Sequence, residues 1–186
     1  KKIINASIKT DLHKKYLDND FIILMASRLS REKNIGLAIE AMEEVVLKYP
    51  RTLLLVVGGD KQVSCCGLEK NIIVEPWTDD LASYYKTADL FLLTSNYEGY
   101  GRTIIEALVA GVSIVSTDVG IASEYVHDSL GLVVPVGDRV ALTGAILEMI
   151  KRKISGNSIV RGGVIKDMPS HEEYLRLYKE SLEKLC

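Results

Sequence analysis

Short blocks of unbroken apolar residues alternate along this chain with stretches in which apolar residues return every three or four positions. Phe21–Ala26 (Phe-Ile-Ile-Leu-Met-Ala) is the first block, and its continuous apolar character predicts a strand buried on both faces. Ile35, Ala38, Ile39, Met42, Val45 and Val46 then fall at helical spacing with charges opposite, predicting an amphipathic helix that Pro50 ends. Residues 53–57, 71–74, 90–94, 113–116 and Gly131–Val134 predict further strands, the last stopping at Pro135. Residues 79–86 predict a short helix, a second runs to about Ala110 behind the turn 98–106, and 140–150 form a longer one. Residues 151–168 are glycine-rich and polar and read as a loose connection. A last amphipathic helix, 170–185, carries Tyr174, Leu175, Leu177, Tyr178 and Leu182, with Ser170 and Glu173 at capping-box spacing. Apolar strands separated by single helices imply a doubly wound, Rossmann-like α/β domain. Its parallel sheet is covered on both faces and takes ligands at the carboxyl ends of its strands.

Composition narrows this picture. The 186 residues suit one sizeable core, and a single domain over 1–186 is expected. A net charge of −2, with no basic stripe interleaved with aromatics, excludes a nucleic-acid surface. No apolar run nears the roughly 20 residues a membrane span needs. The opening Lys1-Lys2-Ile3-Ile4-Asn5 has no long apolar region of the secretory kind, so a cytoplasmic location is expected. It also lacks an initiator Met, which fits a fragment or a processed chain. Cys65, Cys66 and Cys186 make neither a disulfide framework nor a zinc pattern and suit a reducing compartment. His13, His127 and His171 are scattered, and none has metal-ligand spacing. No metal or other cofactor is therefore expected.

The candidate chemistry lies at strand ends. Glu98-Gly99-Tyr100-Gly101-Arg102-Thr103-Ile104-Ile105-Glu106 follows an apolar strand and enters a helix. Its amides and positive dipole end favour an anion such as phosphate, whereas Glu98 and Glu106 are suited to accept hydrogen bonds from hydroxyls beside it. A phosphate flanked by hydroxyls describes a nucleotide-sugar. The plain alternative makes Glu98 a solvated loop acid and Glu106 a dipole-favoured helix acid. After the first strand, Arg28 and Lys33 stand where a diphosphate would be held; alone, they also read as solvated loop charges. Gly58-Gly59-Asp60 permits close backbone approach or simply makes a turn. Neither G-x-G-x-x-G after the first strand nor a P-loop is present. Asp118-Val119-Gly120 and Glu124 line the same edge and read as structural.

In order, these segments resemble the C-terminal half of family 4 (group 1) retaining glycosyltransferases, enzymes of the GT-B fold. The resemblance runs through Arg28-Leu29 with Glu32-Lys33, Gly58-Gly59-Asp60, and Leu81-Ala82-Ser83-Tyr84-Tyr85-Lys86-Thr87-Ala88-Asp89. It continues through Glu98-Gly99-Tyr100-Gly101, Glu106-Ala107-Leu108-Val109-Ala110-Gly111 and Gly131-Leu132-Val133-Val134-Pro135. It implies a three-layer αβα donor-binding domain, with an N-terminal acceptor domain absent from this chain. It implies a UDP-sugar donor, with GDP-sugar as the alternative, and transfer of a hexosyl unit to a hydroxyl without a metal. By the resemblance, Arg28 and Lys33 hold the diphosphate and stabilise the leaving group. Gly99, Tyr100 and Gly101 face the diphosphate and sugar through the backbone. Glu98 contacts the sugar hydroxyls and Glu106, completing the E-x7-E pair, the ribose. Gly59 approaches the donor closely, and residues 74–77, Val74 and Glu75 included, lie near the base largely through backbone atoms.

Three departures stand out: Ser27 and Asn34 where the family usually has Gly, and Arg102-Thr103 in place of an apolar-plus-proline pair. Arg102 adds a cation beside the sugar site and leaves the donor sugar open. A role in cell-envelope polysaccharide synthesis, and peripheral contact with the inner face of the membrane through the missing half, also belong to the resemblance. Two other readings remain: a non-catalytic nucleotide-sugar-binding or regulatory module, and an epimerase on the same architecture.

Overall fold

The computed structural model describes residues 2–59 and 67–156. Strands β1 (Phe21–Ala26) and β2 (Thr52–Val57) lie side by side in parallel, in register from Phe21 opposite Thr52 to Ala26 opposite Val57. Every residue of both is buried, because alternate side chains serve two separate cores. Phe21, Ile23, Met25, Leu54 and Val56 enter one; Ile22, Leu24, Ala26, Leu53, Leu55 and Val57 enter the other. An unbroken apolar run satisfies both faces at once, which is why these strands lack period-2 alternation.

The remaining strands are β3 (Ile72–Glu75), β4 (Leu90–Leu93), β5 (Ser113–Thr117) and β6 (Gly131–Val134). All pair in parallel, in the order β3-β2-β1-β4-β5-β6. The order reverses between β1 and β4, and in such sheets that switch point opens the ligand crevice at the carboxyl edge. The doubly wound, three-layer arrangement expected from the sequence is the one observed.

Helices α3 (Ile35–Lys48) and α7 (Arg139–Ile154) cover the first face. The second is covered chiefly by α4 (Leu81–Thr87), α5 (Arg102–Ala110) and the short α6 (Ala122–Tyr125). Two short helices precede β1, α1 (Lys2–Asn5) and α2 (Leu12–Lys15). The segment around them is strapped to α4. Ser83 Oγ accepts from the Lys9 amide at 2.9 Å, Thr87 Oγ1 accepts from the Leu12 amide at 3.2 Å, and Lys86 Nζ donates to the Ala6 carbonyl at 2.6 Å.

Some expectations are corrected. Helix α7 continues to Ile154 instead of stopping at residue 150. Lys151, Arg152 and Lys153 complement its carboxyl end, and each of the last two finds a partner. Arg152 Nε donates to Glu148 at 3.0 Å, and Lys153 Nζ donates to Asp89. Residues 151–154 are therefore helix and not loose connection, and residues 157–168 lie outside the described residues. Asp89, its side chain only 3% exposed, also accepts from the Ile22 amide at 2.7 Å and lies 3.2 Å from His13 Nε2. It pins the amino ends of β1 and β4 together, on the edge away from the candidate site. The last helix, the three cysteines and Asp60 lie outside the described residues. None of the described helices is long and apolar enough to cross a membrane.

Candidate functional site at the carboxyl edge

Three loops meet above the switch point. The first leaves β1 through Ser27, passes the exposed Arg28 and makes a single 3-10 turn over Arg31–Lys33. Asn34 then adopts the left-handed region, with φ 44° and ψ 50°, and opens α3. Asparagine tolerates that conformation better than most residues, which explains how it stands where a glycine was anticipated. The second loop leaves β4 at Thr94. Thr94 Oγ1 donates to the carbonyls of Lys33 at 2.9 Å and Asn34 at 3.1 Å, and the Asn96 amide donates to the Glu32 carbonyl at 2.8 Å. The third, behind β5, supports the second: the Ile121 amide donates to the Tyr100 carbonyl at 3.2 Å.

This cross-bonding brings Lys33 and Glu98 into contact. Lys33 Nζ donates to Glu98 Oε1 at 2.6 Å, and Ser95 Oγ donates to the same oxygen at 2.7 Å. The two charged side chains are 19% and 13% exposed, so the pair is mostly shielded yet reachable. The Glu32 carboxyl is held below its ordinary value by the Ser30 hydroxyl first, with further help from the charges of Arg28 and Lys33.

Beside the pair, Gly101 is the N-cap of α5 at φ 85° and ψ 48°, and no side chain caps that helix. A residue with a Cβ is strained at that φ, and the missing cap leaves first-turn amides for another acceptor. Arg102 is exposed and Thr103 half-buried in that first turn. Gly99 has nothing within 4 Å of the position its Cβ would take, and Tyr100 is 39% exposed. Of the glycines in these loops at the site, Gly58, Gly59, Gly99, Gly101 and Gly120, Gly99 is the one with open space.

Gly59 is different. A Cβ there would lie 2.6 Å from Val74 Cγ1 and 2.8 Å from Leu29 Cδ1, so its smallness is already used to pack the first loop against β3. The amides of Gly58 and Gly59 both donate to the Glu75 carbonyl, at 3.0 and 3.2 Å. The Glu75 side chain turns towards α2 and α4, where Lys15 and Tyr16 of the one and Tyr84 of the other donate to it. Burial opposes its charge, but these three donors prevail and hold its carboxyl below the ordinary value. Glu75 thereby ties α2 to β3 by its side chain and keeps only its backbone at the carboxyl edge.

Glu106 lies one turn into α5, half-buried, and its Oε2 accepts from the fully buried Tyr85 hydroxyl at 3.1 Å. Burial first, then the Glu106 charge, pushes the Tyr85 phenol well above its ordinary value, so it stays a donor and aims the carboxylate. Tyr85 and Ser95 carry no signal of this role in the sequence: Tyr85 falls in the segment that resembles the family, but nothing in the helical period of α4 marks which tyrosine reaches α5.

A six-stranded, doubly wound parallel sheet, with a cation–carboxylate pair and an uncapped helix start above its switch point, defines a Rossmann-like domain with its ligand crevice at the carboxyl edge. The family is also clear: residues 8–163 match the glycosyl transferases group 1 family, and the chain belongs to it. Among its relatives, N-acetyl-alpha-D-glucosaminyl L-malate synthase of Bacillus anthracis is 27% identical over 151 residues, which are 76% of this chain and 40% of that protein. Alpha-monoglucosyldiacylglycerol synthase of Streptococcus pneumoniae is 30% identical over 145 residues, 72% of this chain and 32% of that protein. HepE of Anabaena, solved in complex with UDP, has the same fold, with a TM-score of 0.73 at 21% identity, over 98% of this chain and 55% of that one. Sucrose-phosphate synthase from Thermosynechococcus elongatus superposes with a TM-score of 0.74 at 23% identity, over 92% of this chain and 48% of that one. The chain thus spans less than half the length of both curated relatives.

Proposed function

We propose that this chain is the nucleotide-sugar-binding domain of a retaining glycosyltransferase that moves a hexosyl unit from a UDP-sugar, or a GDP-sugar, to a hydroxyl acceptor. One observation carries the reading. The Lys33–Glu98 pair, 2.6 Å apart, stands at the switch point beside the uncapped start of α5, with the second glutamate one turn along that helix. UDP in the related HepE structure supports the choice of nucleotide.

In this reading Arg28, Lys33 and the α5 amides take the diphosphate, and the positive charge placed there lowers the barrier to its departure without a metal. Glu98 accepts bonds from the sugar hydroxyls and Glu106 from the ribose. The acceptor hydroxyl attacks the anomeric carbon on the face that the leaving phosphate vacates. The new C–O bond forms as the old one breaks, and the hydroxyl proton passes to a phosphate oxygen. The acceptor is brought by another part of a longer enzyme, so this chain alone binds donor and transfers nothing. A role in envelope polysaccharide synthesis accords with the capsular polysaccharide glycosyltransferase CapM of Staphylococcus aureus, 26% identical over 164 residues.

Calorimetric titration of the chain with UDP and with GDP tests this. Saturable binding of at least one is expected at micromolar to millimolar concentration. No heat with any nucleoside diphosphate at millimolar levels refutes the assignment.

A further inference from the structure

On the edge of the sheet away from the candidate site, the carboxyl ends of α3 and α7 meet the first residues of β1 and β2 around a cavity of about 350 Å³. Phe21, Tyr49, Ile150 and Ile154 give it apolar walls. Three cations stand at its mouth, and each is already engaged. Lys48 Nζ donates to Glu44 at 3.2 Å, Arg51 pairs with Asp20 at 2.9 Å, and Lys153 Nζ donates to Asp89. Among the described residues, no charge at the mouth is left without an opposite partner. The floor differs. Thr52 faces the α3–α7 side of the sheet, as Leu54 and Val56 do at the next alternate positions. Its amide donates to the Tyr49 carbonyl at 3.0 Å and its carbonyl accepts from Asn71 at 2.8 Å. Its side chain is 1% exposed, yet Oγ1 has no hydrogen-bond partner among the described residues. A buried hydroxyl without a partner costs stability, and valine would fill the same strand position without that cost.

Apolar walls, a mouth whose charges are matched and one unsatisfied hydroxyl specify a small uncharged molecule with a single polar group. A cavity of about 350 Å³ stands at the small end of ligand sites, which run from roughly 300 to 1,000 Å³, and suits one ring with a short substituent. We propose that this cavity binds an uncharged aromatic alcohol, its ring against Tyr49 and Ile150 and its hydroxyl bonded to Thr52 Oγ1. The ligand thereby supplies the hydrogen bond that the fold withholds from Thr52. This site is separate from the nucleotide crevice and does not rest on the donor-domain reading.

The test titrates the chain with 4-propylphenol, with propylbenzene, which lacks the hydroxyl, and with 4-propylbenzoate, which is charged. Calorimetry reads affinity, and isoleucine-methyl spectra read location. The phenol is expected to bind saturably, about 3- to 10-fold tighter than propylbenzene, with shifts at Ile150 and Ile154. The benzoate is expected to bind more weakly than the phenol. Thr52→Val keeps the branched shape; it is expected to remove the advantage of the phenol and to leave the affinity for propylbenzene unchanged. No saturable phenol binding, an undiminished advantage in folded Thr52→Val, or tighter binding of the benzoate overturns the proposal. A dimer that Ile154→Lys disperses, found in place of phenol binding, assigns the mouth to a second copy and overturns it too. UDP titration of the same samples reports on the crevice separately, so the two failures are told apart.

Discussion

Replacing Glu98 with glutamine keeps the shape of the side chain and removes its charge, and the result is expected to bind nucleotide more tightly. At 2.6 Å and an effective dielectric of about 20, the gross attraction to Lys33 is about 6 kcal/mol. Most of that is offset by stripping water from two ions. With side chains 19% and 13% exposed, the net value falls between exposed pairs, at about 0–1 kcal/mol, and the roughly 3–5 kcal/mol lost when a buried pair is broken. About 1–2 kcal/mol is a reasonable midpoint on those scales. A diphosphate that claims Lys33 must first loosen this pair, so the acid competes with the ligand. Glu98→Gln is therefore expected to lower the UDP dissociation constant about 5- to 30-fold, measured by calorimetry, while abolishing transfer in the complete enzyme. Lys33→Met is expected to weaken binding, and adding Glu98→Gln to it should restore nothing, which isolates the coupling. Unchanged or weaker UDP binding in a folded Glu98→Gln protein refutes the competition argument.

Two further outcomes concern stability. Glu75 has a lowered carboxyl pKa in the fold, against 4.5 for the free group. Its contribution is thus complete above the unfolded value and is lost as pH falls through the folded one; Tm measured from about pH 7 to about pH 3 should drop less steeply for Glu75→Gln, and parallel curves refute this. A Cβ on Gly131 would lie 1.8 Å from the Ile114 carbonyl oxygen of the paired strand β5, so Gly131→Ala is expected to cost at least about 3 kcal/mol and to lower Tm by about 6–12 °C in a thermal melt.

Much of the architecture was legible because parallel strands buried on both faces leave an unmistakable trace, and β1 and β6 fall where the apolar blocks put them. What escaped has physical causes. Helices α1, α2 and α6 have four residues each, too few for a period to show. The end of α7 was hidden because lysine and arginine complement a helix end and look like solvent-facing loop. Within the site, the residue types were readable but their contacts were not. Lys33 meets Glu98 across a sequence separation of 65 residues, which only the strand order β1-β4 decides. Composition also could not separate Gly99, which faces open space, from Gly59, which is packed tight.

The cross-bonded loops have a consequence for how the molecule comes into being. Strands β1 and β2 with α3 form a contiguous unit early in the chain, rich in short-range contacts and suited to assemble first. The ammonium and the carboxylate of the pair belong to opposite sides of the switch point, and the bonds from Thr94 and Asn96 to the first loop form only after β4 has docked on β1. Binding competence therefore arrives as a late folding event. On the proposed donor-binding function, a nucleotide present during synthesis would stabilise only chains that have completed that docking, a selective clamp on the finished sheet.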